Sequence, residues 1–385
     1  MNDATRRRYL AGIGTAVAAG LAGCNGLLGS DDDESPAQQV EVPALTRLRG
    51  SGSLVEGRPQ PAGPSITELP DLSGELSLYL GGGEGGIYRE FVDILERAYP
   101  EFTVLPTRNT SSTLAQTIVD EVESGASRAD VFWSIDASSL AYVTQEDANE
   151  PLPDTVTGSV PDSFIGPDGS WVGVAGRARA VPYNTNELSE SDIPNAVAEF
   201  PETPALQGTM GWAPTYGAFK SFITAMRLRR GEDAARQWLV DMREAGTERY
   251  GNEYVVSQQV ADGALAAGFA NHYYALRVKN QRPDAPIDLA FTEGDAGALV
   301  DVAGATRIQG TDNADLADLF IRHLLTAEAQ EFFATRSFAY PMIDGVEPVG
   351  DLPPISELNP PEIDLSKLSD IAATLELMEE AGVSG

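Results

Sequence analysis

Cysteine, lysine and histidine are nearly missing from this 385-residue chain. The one cysteine, Cys24, allows no disulfide within the chain. Two histidines (His272 and His323) and three lysines (Lys220, Lys279 and Lys367) leave few parts for nucleophilic or histidine-based catalysis. His-Glu-x-x-His, Gly-x-Ser-x-Gly and paired Cys–His motifs are absent. Carboxylates are so numerous that no two stand out as an acid/base pair, so an enzyme is not expected. Basic charge is scarce as well: 26 Lys+Arg face 58 Asp+Glu, a net charge of −32. Such a surface repels phosphate backbones and lacks the basic stripe that counterion release requires, which excludes nucleic acid as a partner.

What is present builds a core. Hydrophobic residues make up 42% of the chain, with 12 Tyr and 13 Phe, which argues against disorder. The length suits roughly two domains of about 150 residues each. The self-repulsion of the acidic surface would destabilise a compact chain in dilute buffer. At molar salt the screening length falls to about 3 Å. The charge, with arginine far outnumbering lysine, therefore reads as adaptation to brine.

The N-terminus carries an address. Thr5-Arg6-Arg7-Arg8-Tyr9-Leu10 sets a twin arginine ahead of an uncharged apolar run from Tyr9 to Leu21, which ends in Leu21-Ala22-Gly23-Cys24. Charged start, short apolar run and small-residue cleavage site form an export signal, and the run is too short and Gly/Ala-rich for a good membrane span. The twin arginine resembles a Tat signal. Leu-Ala-Gly-Cys resembles a lipobox, which implies a lipidated Cys24 as the new N-terminus. Without residues 1–23 the chain keeps 23 basic and 57 acidic residues, a net of −34. Residues 24–74, with Asp31-Asp32-Asp33-Glu34, scattered Pro and Gly and little apolar periodicity, read as a disordered acidic tether. About fifty such residues would hold a globular body about 40 Å from a membrane.

From Glu75 onward strands and helices alternate. Leu76–Leu80 predicts a strand, Ile87–Ala98 an amphipathic helix, Phe102–Leu105 a second strand, Ser112–Val122 a helix and Ala129–Trp133 a short buried strand. This βαβαβ rhythm predicts a doubly wound parallel sheet. A second α/β region spans 181–302, with helices expected over Ala218–Arg230 and Asp233–Ala245; a single helix is expected from Asp315 to about Ala334. The loop Gly81-Gly82-Gly83-Glu84-Gly85-Gly86 does not fit a phosphate-binding fingerprint, since no Gly-Lys-Ser/Thr follows.

The tyrosines carry the chemistry. The apolar stretch Leu265–Ala270 leads into Asn271-His272-Tyr273-Tyr274. That puts two tyrosines just past a buried strand and at the start of a helix, where ligands sit in open α/β sheets. Pro214-Thr215-Tyr216-Gly217-Ala218-Phe219 opens another helix, whose free amides and dipole favour an anion. Three converging phenols near an anion site would suit a hard trivalent cation such as Fe³⁺, which can pull a phenol down from its ordinary pKa near 10. Tyrosine pairs also serve as packing residues with a polar tip.

From Glu75 to the C-terminus the body resembles the periplasmic ferric-ion-binding proteins, solute receptors of ABC importers with a transferrin-like, two-lobed fold. Ala129-Asp130-Val131-Phe132-Trp133 resembles that family's Ala-Asp-Val-Phe-Tyr segment, and Gly176-Arg177-Ala178-Arg179 its Gly-Arg-Ser-Arg strand. Thr215-Tyr216-Gly217-Ala218-Phe219 is similar to its Thr-Ser-Gly-Ala-Phe anion loop, and Asn271-His272-Tyr273-Tyr274 to its Asn-Asn-Tyr-Tyr motif. Gly297-Ala298-Leu299-Val300 and Met378-Glu379-Glu380-Ala381-Gly382 also fit.

The resemblance implies an α/β, type II periplasmic-binding-protein fold. Lobe 1 would hold 75–180 and 303–347, lobe 2 181–302 and 348–385. Hinge strands are expected near Arg177–Pro182 and Val300–Ala305. It also implies a lipid-anchored monomer on the outer face of the membrane that captures Fe³⁺ and hands it to a permease driven by an ATPase. Tyr216, Tyr273 and Tyr274 would be the metal ligands. Arg177, Gly217, Ala218, Asn252 and Asn271 would surround a synergistic anion such as carbonate. The family's histidine falls at Gly83 and its glutamate at Ile135, so a His/Glu/two-Tyr site is absent; Glu84 or Asp136 could add a carboxylate. The same receptor class binding a small organic cation, a phosphonate or another anion stands as the alternative. A secreted enzyme on this scaffold would need a catalytic group that the sequence does not place.

Overall fold

The computed structural model describes residues 45–82 and 86–383. The export signal and Cys24 lie outside the described residues, as does Glu84. Among the described residues no helix is long and apolar enough to cross a membrane.

The predicted alternation is realised. Strands β1 (Gly74–Gly81), β2 (Phe102–Asn109) and β3 (Val131–Ser134) are connected by the helices Ile87–Ala98 and Ser111–Glu123. β1 lies between β2 and β3 and is parallel to both. The helix Ile87–Ala98 forms because Tyr88, Phe91, Val92, Leu95 and Ala98 recur on one face, and all are buried. Gly86 precedes it at φ 89°, a backbone conformation that costs glycine little. Tyr88 stacks on Trp133 with ring centroids 4.5 Å apart. Burying each such side chain contributes about 1.5–3 kcal/mol.

After the short β4 (Asn149–Glu150) comes β5 (Val172–Asn184), the long strand that links the halves. The second half holds β6 (Met210–Trp212), β7 (Glu248–Arg249), β8 (Ala267–Gly268), β9 (Ala270–Asn271) and β10 (Ile287–Ala290), and the chain returns through β11 (Val300–Ile308). The path runs β2-β1-β3-β11-β5-β8-β6-β7, with β4 on β11 and both β9 and β10 on β5. Residues 172–178 of β5 pair with β11, residues 179–180 with β9, and residues 181–184 with β10. One strand therefore pairs with one set of strands in the first half and another in the second. One core gathers around Leu78, Phe91, Trp133, Val302 and Phe320; another gathers around Trp212, Phe222, Trp238 and Phe269. The C-terminal helix Ile371–Glu380 docks on the second, with Thr224 and Thr374 sharing a 2.8 Å hydroxyl–hydroxyl bond.

Three expectations are corrected. The tether does not extend to residue 74: Leu48, Val55, Ile66 and Leu72 are buried, and Arg58 donates to both carboxylate oxygens of Glu331 at 3.0 Å. Leu48, Ile66 and Leu72 join the core around Phe91 and Trp133, and Val55 the cluster that holds Tyr273 and Tyr274. The helix expected over 315–334 is two, Ala314–Leu324 and Ala327–Ser337. Thr326 breaks it with extended backbone, its hydroxyl donating to the His323 carbonyl at 2.9 Å. The apolar run Leu265–Ala270 is two strand fragments, because Phe269 turns its amide to the Gly211 carbonyl (2.9 Å).

Candidate functional site

A cleft of about 450 Å³ opens between the halves, lined by Asp136, Arg177, Arg179, Tyr216, Gly217, Ala218, Asn271, Tyr273 and Asp301, among others. Side chains from both cores meet here because β5 crosses from one to the other, and residues 177 and 179, two apart on a strand, share the face that looks into the cleft.

The phenols come first. Asn271 ends β9 and the helix His272–Gln281 starts at once, so Tyr273 and Tyr274 stand in its first turn. Their ring centroids are 4.4 Å apart. Tyr216, at the N-cap of the helix Gly217–Arg230, brings its hydroxyl into a hydrogen bond with that of Tyr274. Burial pushes the Tyr274 hydroxyl well above the ordinary phenol range, and the neighbouring hydroxyls of Tyr273 and Tyr216 add to the rise. Arg277 stacks its guanidinium over both rings of the pair, 5.0 Å from Tyr273 and 5.5 Å from Tyr274. Tyr273 faces the main cleft, Tyr274 an adjoining groove with Asn252, Tyr254, Arg277 and Gln281, and Tyr216 borders both.

A buried network fixes this wall. Arg179 donates to Glu253 and to Asn271 Oδ1 (3.2 Å), while Glu253 Oε2 accepts from the Asn271 amide at 2.9 Å. Asn271 Nδ2 then donates to the Tyr273 hydroxyl at 3.2 Å. Glu253 is fully buried and Arg179 nearly so, which makes this a charge pair with little access to water. His272 faces away from the cleft: Nε2 pairs with the Phe338 carbonyl at 2.7 Å and Nδ1 lies 3.2 Å from the Ala178 amide. Burial lowers its pKa to about 4.

Across the cleft, Arg177 on β5 stands directly opposite Asp301 on β11. Its guanidinium donates to Asp301 Oδ2 at 2.9 Å and to the Ile135 carbonyl. Asp301 Oδ1 accepts from the amides of Val302 (2.8 Å) and Ala137 (3.3 Å). Burial raises the Asp301 carboxyl; Arg177 pulls it down and Asp136 pushes it up. Asp136 caps the helix Ala137–Gln145, its Oδ1 accepting from the Ser139 amide at 2.8 Å.

The expected site residues thus divide. Tyr216, Tyr273 and Tyr274 meet, and Arg177, Gly217, Ala218, Asn271 and Asp136 line the cleft with Tyr216 and Tyr273, Tyr274 lying in the adjoining groove. Asn252 does not join that wall: its Oδ1 caps the helix Glu253–Ala261 by accepting from Val255 N at 2.9 Å. Arg177, expected to await an anion, already holds a carboxylate. Arg179, Glu253, Arg277 and Asp301 were given no role from sequence. The Arg-x-Arg spacing on β5 was a usable signal for Arg179. Asp301 has none, since its partner is set by strand register. Among the described residues no group of three or more His, Cys, Asp or Glu could hold a metal, so a metal reading rests on phenols.

Two α/β halves, a strand common to both and a cleft between them define a two-lobed, type II periplasmic-binding-protein fold. Residues 90–357 match the bacterial extracellular solute-binding protein family, and the chain belongs to it. It is 30% identical over 328 residues to the major ferric iron-binding protein of Neisseria meningitidis serogroup B, covering 83% of this chain and 96% of that one. Iron-bound HitA from Pseudomonas aeruginosa superposes with a TM-score of 0.65 at 26% identity, over 80% of this chain and 99% of that one. Trichodesmium FutA with iron and citrate superposes at 0.67 and 22% identity, over 81% and 100%, a likeness of fold. These relatives are binding proteins, in keeping with a receptor and not an enzyme.

Proposed function

We propose that this protein captures ferric iron in the interlobe cleft and delivers it to the permease of an ATP-driven importer by opening about its crossing strands. The observation that carries the reading is the meeting of three phenols, Tyr216, Tyr273 and Tyr274, where the cleft adjoins its neighbouring groove. Phenolate oxygens are hard donors, and three of them balance the charge of Fe³⁺. Arg277 over the pair favours the ionised rings. A synergistic anion at Arg177 would compete with Asp301 for the same guanidinium. Relatives that bind ferric iron at 30% identity over most of the chain support the reading. Export by the twin-arginine route, a lipid anchor at Cys24, life in brine and action as a monomer complete the proposal.

The test is optical. Protein mixed with ferric citrate develops a visible phenolate-to-iron charge-transfer band, and the double substitution Tyr273→Phe/Tyr274→Phe abolishes it. No band, together with tight binding of an organic cation or phosphonate, would replace iron with that solute.

A further inference from the structure

We propose that Asp301 is the cleft's own counter-anion, so that iron capture by this chain needs no carbonate or other added anion; the inference rests on the ferric reading. The carboxylate occupies the guanidinium that a free anion would need. Arg177 and Asp301 are cross-strand neighbours, with Nη2 and Oδ2 2.9 Å apart. The second carboxylate oxygen is held by the amides of Val302 and Ala137, the latter at the start of a helix. Asp301 is thus built into the position, fixed by backbone donors from two elements.

Charge points the same way. Fe³⁺ with three phenolates is neutral, Arg177 with Asp301 is neutral, and Arg277 over the phenol rings adds one positive charge. Asp136 leaves the facing wall with a further negative charge, in a chain whose formal net charge is −32. A dianion entering that space would meet two carboxylates and would compete with Asp301 for Arg177 Nη2, and like charges repel more strongly where water is scarce. In a relative with a neutral residue opposite this arginine, a free anion would have to supply the charge that Asp301 supplies here.

The experiment uses the charge-transfer band of the full chain. Ferric nitrate is added in argon-purged, carbonate-free buffer, and bicarbonate, phosphate or citrate is then supplied in turn. The unmodified protein develops the full band without any of them, and its maximum does not move with the anion. Asp301→Asn weakens iron capture in anion-free buffer by about tenfold or more, because it removes the negative charge that faces Arg177 across the strands. Bicarbonate or phosphate restores capture in that variant, with a maximum that now depends on the anion. The inference is overturned if the unmodified protein needs an anion to form the band, if its maximum shifts from one anion to the next, or if Asp301→Asn behaves like the parent. A band that appears only with bicarbonate defeats the role of Asp301 while leaving the ferric reading in place; no band under any condition defeats both. The comparison of anions on the unmodified chain holds even if the variant folds poorly.

Discussion

At the scale of single residues, the cleft depends on a side chain that never reaches it. Glu253 is fully buried, and its carboxylate holds both Arg179 and the backbone of Asn271, which in turn reaches Tyr273. Glu253→Gln leaves the Arg179 charge buried without its counter-charge, a kind of break that costs about 3–5 kcal/mol. The exposed pair Arg282–Asp262 contributes at most about 1 kcal/mol, so Asp262→Asn serves as the control. Denaturant unfolding measures both. A Glu253→Gln loss no larger than the control's would mean that the network does not stabilise the fold. The phenols themselves were visible in the sequence, because Asn-x-Tyr-Tyr is local. Glu253 lies 74 positions from Arg179 and has no local signature.

At the scale of elements, the two histidines pin helices and not the cleft. His272 joins the tyrosine helix to β5 and to the Phe338 carbonyl; His323, within Ala314–Leu324, lies against the Tyr99 ring, centroids 5.4 Å apart. Burial lowers each pKa from 6.5 to about 4. A group whose folded pKa lies below its unfolded one binds its proton more readily when unfolded, so its stability is complete above pH 6.5 and drains away as the pH falls towards 4. Each histidine then accounts for roughly 3 kcal/mol over that window. His323→Gln reduces the acid sensitivity by about half of the histidine contribution, read as unfolding free energy against pH. Parallel curves for parent and variant would show that His323 does not titrate as its burial requires. Element type was legible wherever apolar spacing was regular, as over Ile87–Ala98. It failed at Thr326, where a hydroxyl bonded to the preceding turn ends a helix whose apolar pattern runs on, and over residues 45–74, whose buried residues join the cores of the body without a regular period of their own.

At the scale of the whole molecule, the acidic excess underlies the proposed life in brine. The screening length shrinks from about 10 Å at 0.1 M salt to about 3 Å at 1 M. The thermal midpoint therefore rises over that range, since a net charge of −32 repels itself least when screened. A midpoint that stays flat or falls between those salt concentrations would count against the reading of the charge as an adaptation to brine. The same charge did not choose a ligand: the described carboxylates form no three-membered cluster suited to a metal.

The sequence by itself determined the alternation of strands and helices and the motifs that hold Tyr216, Tyr273, Tyr274 and Arg177, because spacing and short motifs are local properties. Only the tertiary structure decided who faces whom. Strand register put Asp301 opposite Arg177, the fold buried Glu253 beneath Asn271, and helix capping withdrew Asn252 from the cleft. Each of these is a contact between segments far apart in the chain or a choice of hydrogen-bond partner made on packing, and residue order alone carries neither.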